Sequence, residues 1–176
     1  MAALRDFPDQ ETLLSTVAEE VAGRLSTAIE ERGSASLVVS GGRTPEALFQ
    51  RLSRAEIPWS KVTVTLADER WVPESDPDSN AALTASLFPG AANLQAAMDL
   101  DGETLCMPIR APGAAQPRMT LTLPALLNSR NRLLLITGEG TRQALASASA
   151  EGSEEEMPVR AFLGREGDGF EVVWAP

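Results

Sequence analysis

The chain has 176 residues, 43% of them hydrophobic, with 15 basic against 25 acidic side chains, one cysteine and no histidine. That is enough to bury the core of one domain, and residues 1–176 are read as a single unit. The net charge of -10 argues against a nucleic-acid binder, whose affinity comes from clustered Lys and Arg on phosphates, and a lone thiol rules out an intrachain disulfide.

In chain order, Leu14, Val17, Val21, Leu25 and Ile29 recur at three- and four-residue steps, predicting an amphipathic helix over 11–32 that Gly33 ends. A buried strand is expected at 36–39, a helix at 45–54 with Ala47, Leu48 and Leu52 inward, and a second strand at 62–66, together a βαβ unit. Residues 73–79, rich in Pro, Asp and Ser, read as a loop. A short helix near 80–88, a Pro-Gly stop and a polar stretch to 102 follow. The remainder reads as a strand at 105–109, a helix at 123–129, a strand at 132–137, a helix at 142–149, and edge strands at 159–163 and 170–174. This alternation predicts an α/β fold: three-layer, Rossmann-like, with a mostly parallel open sheet flanked by helices and ligands at the carboxyl ends of strands. The longest apolar run, 133–136, is too short to span a bilayer. With no signal-like N-terminus and one cysteine, a cytoplasmic protein that binds neither membrane nor nucleic acid is expected.

The segment Leu37-Val38-Val39-Ser40-Gly41-Gly42-Arg43-Thr44-Pro45 is a strand breaking into a small-residue turn that opens a helix. Two glycines permit positive φ and close approach to a ligand, and the helix start aims amides at the same point. Thr44 is the expected N-cap. Only Lys61 is a lysine, so a small anion would be held by arginines and backbone amides, and Schiff-base chemistry is disfavoured. Asp68, Glu69 and Arg70 follow directly on the second strand, where a site is expected. Trp71 reads as packing, Cys106 as a buried core thiol and the acidic turn at 152–156 as solvated surface rather than a metal site.

Several segments together resemble the 6-phosphogluconolactonase family: Ser40-Gly41-Gly42-Arg43-Thr44-Pro45; Ala67-Asp68-Glu69-Arg70-Trp71-Val72-Pro73 with Asp76-Pro77-Asp78-Ser79-Asn80; Thr84-Ala85-Ser86-Leu87-Phe88-Pro89-Gly90; Arg118-Met119-Thr120-Leu121-Thr122-Leu123-Pro124; and the closing Trp174-Ala175-Pro176. The resemblance implies hydrolysis of 6-phospho-D-glucono-1,5-lactone to 6-phosphogluconate in the oxidative pentose phosphate route, with no metal or organic cofactor. It implies that Ser40, Gly41, Gly42, Arg43, Thr44, Asp68, Glu69, Arg70 and Arg118 bind the phosphorylated sugar lactone.

The chain departs from the family pattern at its chemical centre. The family places a histidine, acting as general base, just before the Thr-Ala-Ser-Leu-Phe-Pro motif; here Leu83 stands there. Family members also carry a helical section and a central strand between the Asp-Ser-Asn loop and this motif, whereas Asn80 is here followed by only three residues before Thr84. The resemblance therefore implies an internal deletion with its junction near 80–84, a sheet lacking one central strand, and no catalytic residue in place. Thr141 stands where the family has a lysine, with Arg142 one step later. The expectation is a lactonase by descent that is poor or inactive, with a non-catalytic sugar-phosphate binder as the alternative. A lost strand leaves unpaired backbone groups, so either a narrower re-paired sheet or a strand-exchanged dimer is expected.

Overall fold

The computed structural model describes residues 3–91, 93–95, 105–110, 116–164 and 169–176. In chain order the elements are β1 (Ala3–Asp6), α1 (Gln10–Arg32), β2 (Ala35–Val39), α2 (Arg43–Leu52), β3 (Val62–Leu66), β4 (Asp68–Arg70), α3 (Asn80–Leu87), β5 (Asn93–Gln95), β6 (Cys106–Ile109), β7 (Arg118–Leu121), α4 (Leu123–Leu127), β8 (Arg132–Thr137), α5 (Glu139–Ser149), α6 (Arg160–Leu163) and β9 (Phe170–Ala175). The residues group into two compact units, 1–16 with 129–176, and 17–128.

In the first unit β1, β9 and β8 form a parallel sheet with β9 in the middle. The expected edge strand at 170–174 is thus a central one, because β1, too short to leave a signal in the sequence, pairs with its far side. Ala148, Leu163 and Val172 are buried together, with Leu134, Ile136, Leu145 and Phe170 packed around them. The expected strand at 159–163 is instead α6. Turn bonds from the amides of Arg160, Ala161 and Phe162 to the carbonyls of Met157, Pro158 and Val159 wind it up. Five residues, four of them apolar, carry no periodicity that separates the two states.

In the second unit β2, β3 and β5 form a parallel sheet, with β3 central, and β4, β7 and β6 an antiparallel one. The parallel strands of the chain therefore hydrogen-bond in two groups of three, among the described residues, rather than in one ladder. Val62, Val64 and Leu66 of β3 are fully buried at alternate positions, the mark of a strand packed on its inner face. Phe88 is buried against Phe49 and Trp59, with ring centroids 5.7 and 5.0 Å away. Trp71 does not pack: it is 59% exposed. Cys106 is only half-buried, on an edge strand whose Met107 and Ile109 are exposed. The polar stretch expected up to 102 lies largely outside the described residues.

The chain changes sheets at Ala67. Its amide donates to Val39 O (2.7 Å), extending the parallel ladder, and its carbonyl accepts from Leu121 N (2.8 Å), opening the antiparallel one. The next residues therefore leave the core strand and align with β7, which brings Arg70 opposite Arg118 on one short ribbon. No helix among the described residues is long and apolar enough to cross a membrane.

Candidate functional site

All nine residues expected at the site lie in the second unit. The turn after β2 is built around Gly42, which takes φ +125°, ψ 161° and caps α2 without a side-chain hydrogen bond. That region of backbone space is essentially restricted to glycine, so Gly42→Ala is expected to cost about 1–3 kcal/mol, measured by urea denaturation; an unchanged midpoint would show that the turn is not held there. Thr44 is not the N-cap: helix geometry begins at Arg43, one residue after Gly42, and Thr44 sits inside the first turn. Ser40, Gly42 and Arg43 are exposed, and among the described residues no acidic side chain pairs with Arg43.

Gly41 has a different reason to be glycine. A Cβ there would lie 1.9 Å from Asn80 Oδ1, so the Asn80 side chain occupies the space any larger residue would need. Only Gly42 of the pair uses positive φ.

The ribbon of β4 and β7 settles which charged residues share a surface. Asp68 lies opposite Thr120, Glu69 opposite Met119 and Arg70 opposite Arg118. Side chains alternate along a strand, so Asp68, Arg70, Arg118 and Thr120 project to one face and Glu69 to the other. On the first face Arg118 Nη1 pairs with Asp68 Oδ2 at 2.7 Å. Arg70 donates through Nη1 to Asp78 O and to Asn80 Oδ1, the latter at 3.4 Å. Two guanidinium groups directly across an antiparallel pair repel. Asp68 pairs with Arg118 alone, so the two guanidinium groups of this face are set against one carboxylate, a balance that suits an anion.

Glu69 is 2% exposed and belongs to the frame of the site. Its Oε1 accepts from the amides of Arg70 (2.8 Å) and Asn80 (2.9 Å), and its Oε2 from Ser79 Oγ (3.1 Å) and Ala81 N (2.7 Å). The carboxylate thus closes the start of α3 together with Ser79, whose Oγ accepts from Ala82 N at 3.2 Å. This is where the positive end of a helix welcomes a negative group. Asn80, 3% exposed, is the residue that sequence reasoning left without a role. Its only signal was its place at the end of an Asp-Ser-Asn run, a helix-start signature.

Leu83 is half-buried in the fourth position of α3. Phe88 and Ser86 are structural: the ring fills the aromatic cluster, and Ser86 Oγ donates to Leu83 O at 2.7 Å. In the other unit Thr141 Oγ1 donates to Thr137 O (2.6 Å), while Arg142 stacks on Trp174, 4.1 Å from the ring centroid, and reaches Asp6 at 3.4 Å. The Arg142 charge is therefore already engaged. Among the described residues no group of three acidic, Cys or His side chains is placed to hold a metal.

Parallel strands flanked by helices, with a glycine turn after β2, define an α/β protein of Rossmann-like type, and the comparisons agree. The family model for glucosamine-6-phosphate isomerases/6-phosphogluconolactonase matches residues 8–84 and 82–174, and the chain belongs to that family. It is similar to a 6-phosphogluconolactonase of Rhizobium meliloti, 34% identical over 230 residues that cover 99% of each chain. One of Pseudomonas aeruginosa is 37% identical over 202 residues, covering 84% of this chain and 85% of that one. The crystal structure of a 6-phosphogluconolactonase from Shewanella baltica superposes with a TM-score of 0.93 at 27% identity, covering 100% of this chain and 98% of that one.

Proposed function

We propose that this chain descends from a hydrolase of 6-phospho-D-glucono-1,5-lactone and binds that sugar phosphate and its product, 6-phosphogluconate, at the turn 40–44 and the face of Asp68, Arg70 and Arg118. The observation that carries the reading is the cross-strand pair Arg70–Arg118, joined to the glycine turn through Asn80. Two planar donors and the start of α2, which Gly42 caps without a side chain, offer the bidentate and backbone contacts a phosphate monoester takes.

The site as proposed lacks its base. No histidine exists in the chain, and the family match falls into two parts that meet at 82–84. The alignment to the Rhizobium protein runs over 230 positions against the 176 residues present here. All three support the loss of an internal segment, with Leu83 at the seam. They equally favour a second reading, a non-catalytic sugar-phosphate binder.

Both readings require binding. At a concentration about 100 times Kd, 6-phosphogluconate is expected to stabilise the fold by about 2.7 kcal/mol, read as a rise in melting temperature. The gain shrinks with added salt because the contacts are ionic and open to solvent, and Arg118→Ala lowers it. A melting temperature that ignores 6-phosphogluconate at any concentration would remove the proposal.

A further inference from the structure

We infer that Asn80 is a positioning residue: its side-chain amide sets the distance between the glycine turn and Arg70, and it is the reason position 41 must be glycine. The inference rests on the phosphate-binding reading above for its functional consequence, and on packing alone for its structural part.

Asn80 touches two segments of the proposed site, the glycine turn and β4. Its amide group lies against Gly41, where a Cβ would come within 1.9 Å of Oδ1, 2.6 Å of Cγ and 2.9 Å of Nδ2. Nδ2 donates to Asp68 O at 3.0 Å and Oδ1 accepts from Arg70 Nη1 at 3.4 Å. Its main chain is fixed as well: the amide donates to Glu69 Oε1 at 2.9 Å, and the carbonyl accepts from Thr84 Oγ1 at 2.7 Å.

The side chain is buried and cannot itself reach an anion in solvent, so its effect passes through what it holds. The chemistry fits few other residues. A donor must face the Asp68 carbonyl and an acceptor must face the Arg70 guanidinium, in a flat group thin enough to lie on Gly41. Asparagine supplies both from one amide. Aspartate would turn an acceptor toward the carbonyl, and leucine would offer neither the donor to Asp68 O nor the acceptor to Arg70, which would keep only Asp78 O. A methyl at position 41 either pushes Asn80 away, releasing Arg70 and Asp68, or moves the turn that carries Gly42 and Arg43. Either way the two halves of the anion site separate.

The test is a double-mutant cycle of Gly41→Ala and Asn80→Ala, read in two independent ways. In melting temperature, Gly41→Ala is expected to be strongly destabilised, and adding Asn80→Ala to bring it back to the level of Asn80→Ala alone, because the clash is gone. In calorimetric titration with 6-phosphogluconate, below the melting range of every variant, all three proteins are expected to bind at least tenfold more weakly than wild type. A merely structural residue would shift melting and leave the affinity of the folded protein unchanged. Should Gly41→Ala fail to fold, a folded double variant is the same result in sharper form; should Asn80→Ala fail, Asn80→Ser is short enough to clear the methyl and takes its place. Additive melting shifts, or a folded Asn80 variant with wild-type affinity, overturn the inference. Wild type that does not bind 6-phosphogluconate overturns the proposed function instead, and the melting cycle still decides whether Asn80 dictates the glycine.

Discussion

Hydrolysis of 6-phospho-D-glucono-1,5-lactone by this chain is expected to run about 10²- to 10⁴-fold below that of the Shewanella baltica relative assayed beside it, the range a positioned general base contributes. The attacking water must lose a proton as it adds to the lactone carbonyl, and the carboxylates of the described site are already engaged with other groups. Leu83 has no basic atom. Asp68 Oδ2 is engaged by Arg118 at 2.7 Å. Glu69 has both oxygens filled by four donors and projects from the opposite face of the ribbon. The assay subtracts the lactone's spontaneous opening and uses the full chain. A rate within tenfold of the relative's would show that another group serves as base and would retire the idea of a disabled site.

Glu69→Ala is expected to cost at least about 3 kcal/mol in denaturant unfolding, the scale for stripping several buried donors of one charged partner. Ser79 Oγ and the amides of Asn80 and Ala81 would lose their acceptor at the start of α3, where Glu69 is only 2% exposed. Glu69→Gln is expected to fall between, since its amide keeps one acceptor and turns an N–H toward groups that are themselves donors. A loss below about 1 kcal/mol for the alanine variant would mean that water replaces the carboxylate without penalty. Binding of 6-phosphogluconate then separates the two classes of residue: Arg118→Ala weakens the ligand with little loss of stability, whereas Glu69→Ala lowers stability and, through its hold on the Asn80 amide, weakens the ligand as well.

Long apolar periodicity was readable directly. The stripe from Leu14 to Ile29 announced α1, and the alternation at Val62, Val64 and Leu66 announced β3, because burial imposes those spacings. The glycine turn was legible for the same kind of reason, as a strand end that meets a helix start. What escaped was set by pairing between distant segments. Nothing in Asp68-Glu69-Arg70 marks a strand until Arg118 to Leu121 lies beside it, and without that register Glu69 looks like a partner of Asp68 rather than its opposite. The ion pair of Arg118 with Asp68 was not legible because the two lie fifty residues apart. Asn80 stayed anonymous because its role depends on Gly41, far off in sequence. The apolar stretch near α6 misled for want of length.

Residue 67 acts as a spacer of odd count between two ladders. Inserting one residue between Leu66 and Asp68 would leave the buried strand in place yet invert the parity of β4, presenting Glu69 where Arg70 now stands beside Arg118. The face would trade one of its two guanidinium groups for a carboxylate while the core stayed whole, so the spacing there constrains this chain as firmly as any side chain does.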